Sequence, residues 1–221
     1  EHGLSVNING QDPSGFYSLI SGMAGEPPNN IPISDYGHEL EYIIQTDALS
    51  NMYSEAISKS FNNGQNAVSY PDPDISNQLK TVARLISGGL ESKVYMVKLA
   101  GFDTHFGQNQ AENDILGDHN DLLTKLSSAI TAFMSDLSAM NLKNDVVGLT
   151  YSEFGRKAAE NGSLGTDHGE IAPMFVFGAP VKGGVSGLNP DLNEANENNG
   201  YQIQTVQFDY RDTLATLLQD Y

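Results

Sequence analysis

The chain has 221 residues, no cysteine, and 28 Asp and Glu against 11 Lys and Arg, for a formal charge of −17. That length buries one substantial core, so a single domain over residues 1–221 is expected. The acidity repels phosphate backbones and argues against nucleic acid as a partner, and the lack of thiols excludes disulfides, thiolate zinc sites and a cysteine nucleophile.

Along the chain, Leu4, Val6 and Ile8 alternate with polar residues as in a half-buried strand. A Gly/Pro/Asn stretch from Gly25 to Pro32 reads as loop. From Glu39 to Phe61, Leu40, Ile43, Ile44, Leu49, Tyr53, Ile57 and Phe61 recur mostly at helical spacing, which predicts a long amphipathic helix, continuous or broken once. After the punctuation Ser-Tyr-Pro-Asp-Pro-Asp at 69–74, Ile75, Leu79, Val82 and Ile86 predict a second helix ending at Gly88-Gly89. Val94–Val97 is a short apolar run that fits a strand covered on both faces. Leu122, Leu126, Ile130, Phe133, Met134 and Leu137 predict a third helix, with Asp118 or Asn120 as N-cap. Val146–Leu149 and Met174–Phe177 are two further buried-strand candidates, separated by a loop over 152–172. The Asn-rich stretch 186–200 reads as a mobile surface loop, and Phe208–Leu218 as a short helix starting near Asp209 or Asp212. Strands alternating with helices in this way predict an α/β fold, a mainly parallel sheet flanked by helices. In such sheets ligands lie beyond the carboxyl ends of the strands. No apolar run approaches the roughly 20 residues needed to span a bilayer, and no signal-peptide pattern opens the chain. Because the chain begins at Glu1 rather than Met, it is expected to be a processed product, a designed chain or a fragment.

Two loop motifs carry chemistry. Gly-Phe-Asp-Thr-His at 101–105 and Gly-Thr-Asp-His-Gly at 165–169 each set a carboxylate beside an imidazole, a donor pair that divalent metals accept. Asp103, His105, Asp167 and His168 are therefore candidate metal ligands, against the plainer reading that each pair only caps its loop. Ser152–Arg156 adds Glu153 and Arg156 directly after a strand candidate, a carboxylate and a guanidinium suited to oxyanions. The plainer reading there is a surface salt bridge between the two. His119 sits at the start of the third helix, where capping is commoner than ligation; His2 and His38 receive no role. Ser152 and Thr104 lie outside any Gly-x-Ser-x-Gly elbow, which leaves a serine triad unsupported.

These segments, together with His119 and Leu122-Leu123, Glu160–Ser163, Pro173–Val176, Asp209–Arg211 and Leu217-Leu218, resemble in order and spacing the bacterial domain-of-unknown-function 1501 family over roughly residues 94–221. The resemblance implies kinship with the alkaline phosphatase and sulfatase superfamily: a large α/β sheet, a one- or two-metal site, and export behind a removable signal. It implies zinc, manganese or calcium as cofactor, with Asp103 and His105 on one metal, His168 as a late ligand with Asp167 beside it, and Glu153 where the superfamily often has an Asp-His pair. Family members generally open on a strand and a Gly-Gly-Asn-Asp-Gly-like turn that this chain lacks. It is therefore expected to be the C-terminal portion of a longer protein, with a sheet incomplete at its N-terminal side and no nucleophile.

Two functions follow. In one, a metal-dependent hydrolase acts on phosphate or sulfate esters, a small anionic ester or a polysaccharide sulfate, with Glu153 and Arg156 as catalytic residues and Arg156 neutralising the anion. In the other, an exported binding or structural domain keeps the fold without turnover. A calcium-stabilised surface domain has no Asp-x-Asp-x-Asp-Gly loop to support it.

Overall fold

A computed structural model describes residues 30–71, 74–113 and 115–220. The expected strand at Leu4–Ile8, His2 and most of the loop 25–32 lie outside the described residues. The chain divides into two compact units, one formed by residues up to Lys98 with Ala129–Met140, the other by Leu99–Ser128 with Asn141–Tyr221.

In the first unit, α1 spans Asp35–Asn63 without a break. Its N-terminus is capped by Ser34, whose hydroxyl accepts from the Gly37 amide at 3.1 Å. The helix is the one its apolar spacing predicts, but the predicted apolar face is not the buried one: Ile43 is 60% exposed, whereas Gly37, Ser54 and Ser60 are buried. Gly37 is buried against the Pro32 carbonyl, whereas around Ser60 the contact with α2 (Asp74–Ser87) is made at backbone distance. A Cβ on Gly64 would come within 1.9 Å of the Arg84 carbonyl oxygen, and one on Gly88 within 1.8 Å of that of Ser60. The last turn of α1 has no basic residue of its own. Arg84 of α2 supplies one, its Nε donating to the Phe61 carbonyl at 2.8 Å with the guanidinium 4.1 Å above the Phe61 ring.

The core of this unit is built from Ile75, Leu79, Ala83 and Leu85 of α2 and Ala129, Phe133 and Leu137 of α3 (Asp118–Ala139). Val82 and Ile86 are half-buried rather than central, and Ala83 beside them is fully buried instead. Asp136 of α3, fully buried, accepts from the Ala67 amide at 2.6 Å, Asn66 Nδ2 at 2.8 Å and the Tyr70 hydroxyl at 2.8 Å. Residues 94–97, expected as a covered strand, lie outside every ladder among the described residues, with Val94 and Met96 exposed.

The second unit contains two antiparallel strand pairs. β1 (Gly148–Leu149) pairs with β4 (Val176–Phe177), Gly148 facing Phe177. β2 (Gly155–Glu160) pairs with β3 (Thr166–Gly169), with Arg156 opposite His168 and a register irregularity before Glu160 meets Thr166. The segment 152–172, expected as loop, thus carries a β-ribbon. Its tip is built by Glu160, whose Oε1 accepts from the amides of Gly162 at 2.8 Å and Leu164 at 2.7 Å. The Asn-rich stretch is also ordered into two capped 3-10 turns, Leu192–Glu194 and Glu197–Asn199, with Asp191 and Asn196 as caps. It ends against the ribbon, where the Tyr201 carbonyl accepts from the Ala158 amide at 3.0 Å. The terminal helix α4 runs Tyr210–Asp220 after Asp209, as its sequence predicts. Among the described residues no helix is long and apolar enough to cross a membrane.

Candidate metal centre

The site lies within the second unit, where the loop 101–109 runs along the β2–β3 ribbon. Gly101 turns the chain with φ +106°, a conformation that favours glycine. Thr104 is then buried, and its hydroxyl and that of Thr166 both donate to Gln108 Oε1, at 3.2 and 2.7 Å. Asn161 at the ribbon tip donates to the His105 carbonyl at 2.9 Å. Gly165 is required by closeness: a Cβ there would sit 2.4 Å from the His105 carbonyl oxygen.

This bracing brings Asp103 and His105 to His168 on β3. Asp103 Oδ1 lies 3.1 Å from His105 Nε2 and 2.7 Å from His168 Nε2, and the ligand atoms of the three residues all fall within 4.8 Å of one another. Asp103 Oδ1 also lies 3.5 Å from Arg156 Nη2. The Asp103 carboxyl is held below its usual range, chiefly by the hydrogen bond from His168 and further by the nearby His105, His168 and Arg156 charges. His168 is oriented by Phe154, whose ring stacks on the imidazole at 4.1 Å and 7°. Its carbonyl accepts from Gln202 Nε2 at 3.2 Å.

One carboxylate and two imidazoles form a donor set suited to a divalent cation. Tetrahedral ligands at bond lengths of about 2.0–2.1 Å stand about 3.3 Å apart. The two Asp103 spacings, 3.1 and 2.7 Å, reach that arrangement by slight spreading, and the remaining pair lies within 4.8 Å, so the residues fit a metal.

The other predicted site residues divide. Asp167 does not join the three; it stands behind His105, its Oδ1 3.2 Å from Nδ1. Arg156 reaches the site but spends its donors on the chain, Nη1 on the Thr166 carbonyl at 2.6 Å and Nη2 on the Phe102 carbonyl, with the guanidinium 4.9 Å over Phe154. Glu153 is exposed, and among the described residues it makes neither the salt bridge with Arg156 that was the plainer alternative nor any other ion pair. His119 packs edge-on against Phe102 at 6.1 Å, away from the three donors. Phe154, Gln108 and Gln202 are supporting residues that sequence reasoning missed, since nothing in a stacking ring or a bracing amide distinguishes it in a single sequence.

No curated protein and no solved structure matches the chain. A family model, described as a protein of unknown function (DUF1501), matches residues 45–218, a span that runs through both units and includes every residue of the Asp103, His105 and His168 cluster; the chain belongs to that family.

Proposed function

We propose that this chain carries the metal site of an exported hydrolase of phosphate or sulfate esters, on an α/β scaffold with a mainly parallel sheet of the alkaline phosphatase type. The observation that carries the reading is the convergence of Asp103 Oδ1 with His105 Nε2 and His168 Nε2, at 3.1 and 2.7 Å. Two nitrogens and one oxygen leave coordination positions open, as in hydrolytic rather than structural metal sites. A bound zinc, manganese or calcium ion supplies Lewis acidity toward an ester oxygen. The chain's own residues hold the donors in place: Arg156 ties the Phe102 carbonyl to the ribbon, and Phe154 fixes the plane of His168. In this arrangement Arg156 acts on the site through Asp103 and the backbone. Glu153, exposed beside the ribbon, is the carboxylate left to serve as a base toward a small anionic ester.

One observation favours the second reading, a binding or structural domain without turnover. Thr104 is only 4% exposed and its hydroxyl is committed to Gln108, so it offers no nucleophile.

The test is zinc and manganese titration of the purified chain by calorimetry, with elemental analysis, on wild type, His105→Ala and His168→Ala. Stoichiometric metal in wild type and its loss in both variants are expected; equal metal in all three would sink the site. Turnover of p-nitrophenyl phosphate or sulfate by the loaded wild type then separates hydrolase from binding domain.

A further inference from the structure

We propose that Asp167 is the positioning residue of this site, orienting His105 from behind rather than ligating the metal; the inference rests on the metal-site reading above. His105 lies between two carboxylates. Its Nε2 faces Asp103 Oδ1 at 3.1 Å and its Nδ1 faces Asp167 Oδ1 at 3.2 Å. An ionised carboxylate only accepts, and a neutral imidazole has one donor and one acceptor nitrogen. With Asp167 taking the Nδ1 proton, the lone pair is left on Nε2, the atom that points at Asp103 and His168. A carboxylate in that position fixes both tautomer and ring plane, and raises the basicity of the metal-facing nitrogen.

Asp167 is itself held from two sides. Asn161 Nδ2 donates to its Oδ1 at 3.4 Å, and Lys157 Nζ lies 3.5 Å from its Oδ2. Asn161 also holds the His105 carbonyl, so one side chain fixes both the imidazole's backbone and the group behind its ring. The ring of His105 further lies 4.8 Å from that of His168, which limits the swing that losing Asp167 would permit. The expected result is therefore a weakened site rather than an abolished one.

The experiment uses the full chain with zinc alone as probe, comparing wild type, Asp167→Ala and Asp167→Asn, with His168→Ala as the ligand-loss control. Zinc affinity is expected to fall about 10- to 100-fold in Asp167→Ala and less in Asp167→Asn, whose amide oxygen still accepts the Nδ1 proton. Cobalt substituted for zinc should give the same coordination spectrum in wild type and both variants. Long-range nitrogen–proton correlation of the His105 ring should show Nδ1–H in the zinc-loaded wild type and a loss of that preference in Asp167→Ala. Unchanged affinity in both Asp167 variants, with loss in His168→Ala, would overturn the positioning role and leave the site standing. An altered cobalt spectrum in either Asp167 variant that still binds metal, or complete loss of binding in a folded Asp167→Ala, would make Asp167 a ligand and overturn it as well. Absence of zinc binding in wild type would remove the site and this inference together. If Asp167→Ala does not fold, Asp167→Asn and the tautomer of wild type decide.

Discussion

At the level of single residues, Gly165 limits the Asp103, His105 and His168 cluster as strictly as those three side chains do. It lies between the ribbon and the loop that carries Asp103 and His105, and a Cβ at this position, 2.4 Å from the His105 carbonyl oxygen, leaves no space for any side chain. Gly165→Ala must push the loop from the ribbon, and overpacking of this kind costs about 1–3 kcal/mol. The expected outcome is a lower midpoint in denaturant with zinc affinity falling alongside it. A variant with wild-type midpoint and affinity would show that the loop is not seated as described. The grouping of Asp103, His105 and His168 is legible in the sequence because carboxylate and imidazole neighbours in Gly-flanked loops are a recognisable pattern. The different place of Asp167 is not, because one-residue spacing cannot say which side of an imidazole a neighbouring carboxylate will take.

Among the elements, helices are far more legible in the sequence than strands, and the physical reason differs for each. The helices at 35–63, 74–87, 118–139 and 210–220 all have apolar residues at three- and four-residue spacing or clear caps and stops. The ribbon strand Gly-Arg-Lys-Ala-Ala-Glu has no alternation and weak β propensity; it is held by its Glu160 tip and by the Tyr201 carbonyl, which accepts from the Ala158 amide, while the Thr104 carbonyl accepts from Thr166 on the partner strand. Which face of α1 is buried was also hidden, since apolar spacing cannot reveal a contact made through Ser60, Gly64 and Gly88. The junction of α1 and α2 rests on a side chain as well. Arg84→Ala removes the charge-assisted donor to the Phe61 and Gly64 carbonyls, at 2.8 and 3.2 Å, from the negative end of α1. A loss of about 1.5–3 kcal/mol is expected, with hydrogen exchange quickening first in the last turn of α1. Arg84→Lys should recover part of it. Unchanged exchange there would mean that the donor is dispensable.

For the molecule as a whole, stability should fall on the alkaline side. Burial, and then the hydrogen bond to Asp136, push the Tyr70 hydroxyl well above its ordinary value near 10, and burial pushes that of Tyr95 up to about 12. A folded-state value raised above the unfolded one stabilises fully below pH of about 10 and is lost as pH rises beyond it, because the unfolded chain releases its proton first. Melting temperature should hold on the approach to that value and decline above it. Tyr70→Phe should be less stable near neutrality by about 1 kcal/mol for the lost hydrogen bond, yet lose less on further alkalinisation. An equal alkaline slope in wild type and variant would remove Tyr70 from the account.

Asp103 and His168 stand 65 residues apart in the chain, with α3 between them. A denatured chain must close that long loop before the two can share an ion, so it competes poorly for metal with the folded form. Zinc should therefore act on this protein as a ligand of the native state alone, adding about 2.7 kcal/mol when free ion is a hundred times its dissociation constant. The denaturation midpoint would then climb with the logarithm of zinc concentration, and a chelator would return it to its starting value.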